Sequence, residues 1–109
     1  MKIAITSTGD SLDSTIDPRF GRCAFFAIHD TDSESTEFVV NTNKELLEGA
    51  GPSAVRFVAG YNVSVIVSGE FGLKVKPLLE ELSIKAITHK KTDNTVADII
   101  RYYKLKNGD

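Results

Sequence analysis

Residues Asp17 to Cys23 read Asp-Pro-Arg-Phe-Gly-Arg-Cys and bring Arg19, Arg22 and the chain's single thiol, Cys23, close together. Guanidinium groups are planar, permanently charged and shaped for oxyanions, and a thiolate is a soft metal ligand. A site built there suits an anion or a metal-sulfur species. Two further segments offer backbone N–H groups to such a ligand. They are Gly49-Ala50-Gly51, at the start of an amphipathic pattern, and Ser68-Gly69-Glu70-Phe71-Gly72, after an apolar run. Glycines allow close backbone approach, and a helix N-terminus favours negative charge.

Each feature also has a purely structural reading. A short glycine cluster is an ordinary way to start a helix. Gly49-x-Gly51 lacks the third glycine of a dinucleotide fingerprint, and no Gly-Lys-Ser or Gly-Lys-Thr occurs. Arg19 and Arg22 can brace their own loop by pairing with Asp10, Asp13 or Asp17. Cys23 opens an apolar run and is a small core residue unless the arginines depress its pKa. Phe20 reads as a packing anchor, and His29 and His89 as solvent-exposed residues at strand ends. Catalysis has no signature: no serine sits in a Gly-x-Ser-x-Gly elbow. A two-metal nuclease would need an acid in the first strand, and Lys2 to Thr6 holds none. The expectation is a protein that is not an enzyme.

The elements that position these groups are legible from periodicity. Lys2 to Thr6 alternates as a strand, and a long polar loop follows through Arg22. Cys23 to Ile28 and Thr36 to Val40 form two more strands around the acidic turn Asp30-Thr31-Asp32-Ser33. The period then changes. Ala54, Phe57, Val58 and Tyr61 share one helical face, as do Val75, Leu78, Leu79 and Leu82, and Val96, Ile99, Ile100 and Tyr103. Val63 to Val67 is dense enough in Val and Ile for a strand buried on both faces, and Ile84 to Thr88 is a shorter one. Pro52 fits a first helical turn, and Thr95-x-x-Asp98 fits a capping box. The order β-β-β-α-β-α-β-α joins an antiparallel meander to right-handed crossovers, hence a mixed-sheet α/β sandwich. In such folds ligands gather outside the carboxyl ends of the parallel strands.

The 109 residues, without linker composition, fit one domain over 1–109, with residues 104–109 expected to fray. Thirteen Lys plus Arg against 15 Asp plus Glu give a net charge of −2, which argues against nucleic acid as a partner. No long apolar stretch or basic-flanked leader is present, so neither membrane association nor export is expected, and the location expected is cytoplasmic. A single cysteine makes no internal disulfide and no self-contained four-cysteine cluster.

The combined pattern Ser7-x-Gly9-x-x-Leu12-Asp13-x-x-Ile16-Asp17-x-Arg19-Phe20-Gly21-Arg22, then Gly49-Ala50-Gly51, then Gly69-x-x-Gly72, resembles the dinitrogenase iron-molybdenum cofactor biosynthesis family over nearly the whole chain. The resemblance implies a ribonuclease H-like α/β fold with a mixed five-stranded sheet in the order 3-2-1-4-5. It also implies non-catalytic binding or carriage of an iron-sulfur or molybdenum-containing cluster, or its precursor. Partners would be proteins that donate and accept the cluster, and a second copy in a homodimer could complete the ligand set. The binding residues implied are Arg19, Phe20, Gly21, Arg22, Cys23, Gly49, Ala50, Gly51, Gly69 and Gly72, with Cys23 as the metal ligand. The alternative is a metal-independent interaction or regulatory domain that binds a small anionic ligand or a protein.

Overall fold

A computed structural model describes residues 1–106. The alternating N-terminal segment forms β1 (Lys2–Ser7), followed by β2 (Phe25–Asp30), β3 (Ser35–Val40), α1 (Ala50–Ala59), β4 (Val63–Ser68), α2 (Val75–Glu81), β5 (Lys85–Thr88) and α3 (Val96–Lys106). The strands make one mixed sheet in the order β3-β2-β1-β4-β5. β1 pairs antiparallel with β2 across the long 8–24 loop and β2 with β3 through the short turn 31–34, whereas β4 and β5 return through helices and pair in parallel.

Side-chain alternation divides the core into two halves. Ala4, Phe26, Ile28 and Ile66 face α1 and α2, packing on Ala54, Val55, Val58, Val75 and Leu79. Ile3, Ile5, Ala27, Val65 and Val67 face α3, packing on Val96 and Ile99. A central sheet thus lies between two helical layers, as the Val and Ile density of β4 requires. Among the described residues, no helix is long and apolar enough to cross a membrane.

Three boundaries depart from the periodicity. β2 begins at Phe25, not Cys23. The Asn41 side chain explains this by binding the carbonyls of Gly21 and Cys23, which holds Cys23 in the loop geometry. His29 lies inside β2 and is 7 % exposed, not at an open strand end. Its Nδ1 meets Thr36 Oγ1 at 2.9 Å across the hairpin. The last helix takes in residues 104 to 106 of the segment expected to fray, with Lys104 Nζ paired to Glu34 Oε1 at 2.6 Å. Residues 107–109 lie outside the described residues.

Candidate functional site

The carboxyl ends of β1, β4 and β5 share one end of the sheet, where the loops 8–24, 41–49, 69–74 and 89–95 converge. The first of these is long, and polar backbone groups in a long loop need partners. They find them in a single layer. Ile16 N–H donates to Asn94 O, Val96 N–H to Ser14 O, Ala97 N–H to Leu12 O and Thr8 N–H to Thr15 O, all at 2.9–3.0 Å. Asp17 is fixed from the other side: its N–H donates to Thr6 O at 3.0 Å, and its carbonyl accepts Thr6 Oγ1 at 2.7 Å. The loop is therefore a pinned platform rather than a free strap.

Glycines let that platform approach its neighbours. A Cβ at Gly69 would fall 2.4 Å from Pro18 Cα, and a Cβ at Gly21 would fall 2.8 Å from the Gly51 nitrogen. Gly51 in turn leaves room for Val75, where a Cβ would sit 2.7 Å from Cγ2. These three glycines are explained by packing. Gly49 is different: it caps α1 with a φ of +71° and has open space around it.

Between the platform and the 41–49 loop lies an open depression of ≈ 490 Å³ lined by Thr8, Asp17, Arg19, Arg22, Ala24, Lys44 and Glu45. Arg19 is an exposed cation of this site, its side chain 60 % exposed and its Nε 3.4 Å from Asp17 Oδ1. Asp17 Oδ1 also accepts the Arg19 backbone N–H at 2.9 Å. Arg22 is committed further, donating through Nη1 to the carbonyls of Lys44, at 2.8 Å, and Leu46. It therefore positions the 41–49 loop and brings Lys44 to the rim. A second depression lies beyond the bridge between Arg19 and Glu70 and has Lys76 and Lys90 on its wall.

Three of the residues expected at the site point elsewhere. Phe20 is 2 % exposed and stacks at 5.6 Å on both Phe26 and Phe71, so it anchors the loop to the core. Ala50 is buried. Cys23 is fully buried, and its Sγ donates to Phe20 O at 3.3 Å. Burial, with the nearby negative charge of Asp17 second, pushes its thiol up to about 12. The thiol is thus neutral and closed into the core in this structure, away from the lining of the depression. The depressed pKa that two neighbouring arginines could have produced does not arise, because Arg19 is held at Asp17, Arg22 is held at the carbonyls of Lys44 and Leu46, and burial dominates at the thiol. Among the described residues no three His, Cys, Asp or Glu side chains group to hold a metal ion. His29 lies toward the opposite end of the sheet, and His89 Nε2 is held by Asn94 Oδ1 at 2.7 Å.

Sequence reading passed over Asn41 and Lys44. Asn41 is 1 % exposed, donates to Gly21 O and Cys23 O, and accepts from Asn43 N–H at 3.1 Å. A polar residue directly after a strand was the available sign. Lys44 carried none, since only the Arg22 contact brings it to the rim.

The fold is that of a small α/β domain with a loop-built, cation-rimmed depression at the carboxyl ends of its parallel strands. The chain belongs to the dinitrogenase iron-molybdenum cofactor family, which it matches over residues 1–106. It is similar to the apo form of the orange protein from Desulfovibrio gigas, with a TM-score of 0.88 and 31 % identity over 98 % of this chain and 88 % of that one. It is also similar to a NifB-like protein from Thermotoga solved by NMR, with a TM-score of 0.80 and 28 % identity over 98 % of this chain and 88 % of that one. An uncharacterized protein of Methanocaldococcus jannaschii is 24 % identical over 106 residues, 94 % of this chain and 85 % of its own.

Proposed function

We propose that this protein is a non-catalytic carrier that holds an anionic metal-sulfur cluster, iron-sulfur or molybdenum-containing, or its precursor, in the depression beside Arg19. The observation that carries the reading is the grouping of Arg19, Arg22 and Lys44 around one open space at the carboxyl ends of the parallel strands. Membership in the dinitrogenase iron-molybdenum cofactor family supports the class of cargo. With Cys23 in the core, the cargo arrives preformed and is retained by charge and hydrogen bonds rather than by protein ligands. Such binding suits a carrier, which must release what it holds to an acceptor protein. A ribonuclease H-like ancestry for the fold, a cytoplasmic location, donor and acceptor partners and a homodimer that closes the depression belong to the same proposal.

The test is anaerobic reconstitution with iron and sulfide and, separately, with molybdate or tetrathiomolybdate, followed by desalting. Visible absorption and stoichiometric retained metal and sulfide support the carrier, with Arg19→Ala lowering retention and Cys23→Ser leaving it unchanged. Colourless, metal-free protein favours a metal-independent module that binds a small anion or a protein.

A further inference from the structure

β3 closes one side of the sheet, and the direction of its backbone groups follows from the residue just beyond it. Asn41 N–H donates to Ala24 O at 3.0 Å, and these two residues continue the register in which Phe25 faces Val40. In an antiparallel ladder, hydrogen-bonded and non-bonded pairs alternate. Ser35, Glu37 and Val39 therefore bond to β2, whereas Thr36, Phe38 and Val40 turn their N–H and C=O groups outward. Among the described residues nothing bonds to these groups from the far side. Such an edge is a template for another strand unless it is blunted. The opposite edge is blunted: β5 has four residues and begins with the exposed Lys85. β3 has six, with no proline, no lysine and no break in its register against β2. Phe38 and Val39 are partly buried on opposite faces, and Val40 is 55 % exposed.

We propose that β3 is an interface for a second copy of this chain, which joins two five-stranded sheets into one of ten strands. A two-fold axis within one sheet makes the two edges antiparallel, so the position of the axis fixes every pair. With the axis at Phe38, Thr36 pairs with the partner's Val40, Phe38 with the partner's Phe38, and Val40 with the partner's Thr36. Every outward N–H and C=O group then finds its complement. The same register sets Glu37, the one charge of the strand, opposite the partner's Val39, so the two carboxylates do not face each other. On the α3 face the two Phe38 rings meet, and Val40 is covered. The occupant is a second copy because the edge is complementary to itself: its outward groups are centred on one residue, and its charge is kept off its own image. The proposal rests on the fold and does not depend on the cargo. The carboxyl ends of β1 and β4 point in opposite directions in the two copies, so both depressions stay open, at opposite ends of the joined sheet. The contact is separate from any closure over them.

Amide exchange read residue by residue provides the test, because pairing at this edge protects alternate positions. One strand edge is a small contact, so the dimer is expected near millimolar and not at low micromolar protein. At the higher concentration, translational diffusion of 15N-labelled wild type should report a doubled mass. The Thr36, Phe38 and Val40 amides should exchange about tenfold or more slowly than at the lower concentration, and those of Glu37 and Val39, already bonded to β2, should change less. Val40→Pro removes an outward N–H where an edge strand tolerates proline, and Val40→Lys places a charge on the edge. Both variants should remain monomeric, and Val40→Lys carries the test alone if Val40→Pro does not fold. Arg19→Ala, in the depression, should still dimerise. A wild type that stays monomeric near millimolar concentration overturns the proposal, as does a dimer that survives in Val40→Lys. A dimer lost in Arg19→Ala and kept in the Val40 variants is one closed over the depression, and it overturns the β3 interface.

Discussion

Gly69 lies directly against Pro18: a single methyl group at position 69 would fall 2.4 Å from the Pro18 Cα and 3.0 Å from its carbonyl oxygen. The 8–24 and 69–74 loops, which meet beside the second depression, are therefore set by backbone contact, with no side chain between them to adjust. Gly69→Ala is expected to cost about 3 kcal/mol, because the neighbour is main chain and cannot step aside. Gly49→Ala meets open space and suffers only from its positive φ, about 1 kcal/mol. Chemical denaturation of the two variants checks the contrast, and equal losses would discard the packing explanation.

Asn41 gathers the turn that carries the arginines, using its amide on two carbonyls and its oxygen on one N–H. Asn41→Leu leaves those backbone groups buried without partners and should destabilise by about 2–3 kcal/mol. Amide exchange at residues 21–24 should accelerate more than exchange in β1. Uniform acceleration would show that Asn41 supports the whole fold and not this turn.

The Cys23 thiol should be inert to disulfide reagents in native protein and react only on unfolding. Its folded-state pKa, about 12, lies above its ordinary value of 9.0. Stability from the neutral thiol is thus complete below pH 9.0 and is lost as pH rises through that interval, since the unfolded chain deprotonates first. Cys23→Ala should flatten the alkaline limb of the stability profile. Rapid labelling of native protein would contradict the burial.

Burial lowers the His29 pKa below its ordinary 6.5, against the opposing pull of Asp30 and Glu34. The unfolded state takes up the proton first as pH falls. The neutral ring therefore adds stability that is present above pH 6.5 and lost as pH drops through the folded-state value. His29→Gln should reduce the slope of melting temperature against pH in that acidic window. An NMR titration of the imidazole with its midpoint above 6.5 would count against the assignment.

Element order, the two-faced core and the capping box were all legible, because each follows from local periodicity or short-range spacing. The box forms as its spacing implies, with Thr95 N–H on Asp98 Oδ2 at 2.9 Å and Asp98 N–H on Thr95 Oγ1 at 3.1 Å. At the site, Arg19 and Arg22 were legible as charged groups, but their directions were not. Arg19 takes the pairing with Asp17 that its spacing allowed, whereas Arg22 chooses carbonyls 22 and 24 residues away. The surroundings of Cys23 were illegible for the same reason. Arg22 precedes it in the chain, yet the groups its sulfur meets are Phe20 and Asn41. Gly21, Gly51 and Gly69 looked like ligand cradles because glycine spacing does not distinguish room for a ligand from room for another backbone.

The pinning of residues 12–16 by residues 94–97 has a consequence for how the protein is made. Ribosomes deliver the chain from its N-terminus, so β1 and its loop emerge before the residues that hold the loop. The carbonyl and amides that pin it come some eighty residues later along the chain. The end of the molecule that carries the depression is thus assembled only after α3 begins to emerge, and a ribosome stalled before Asn94 would display β1 with its loop unmoored.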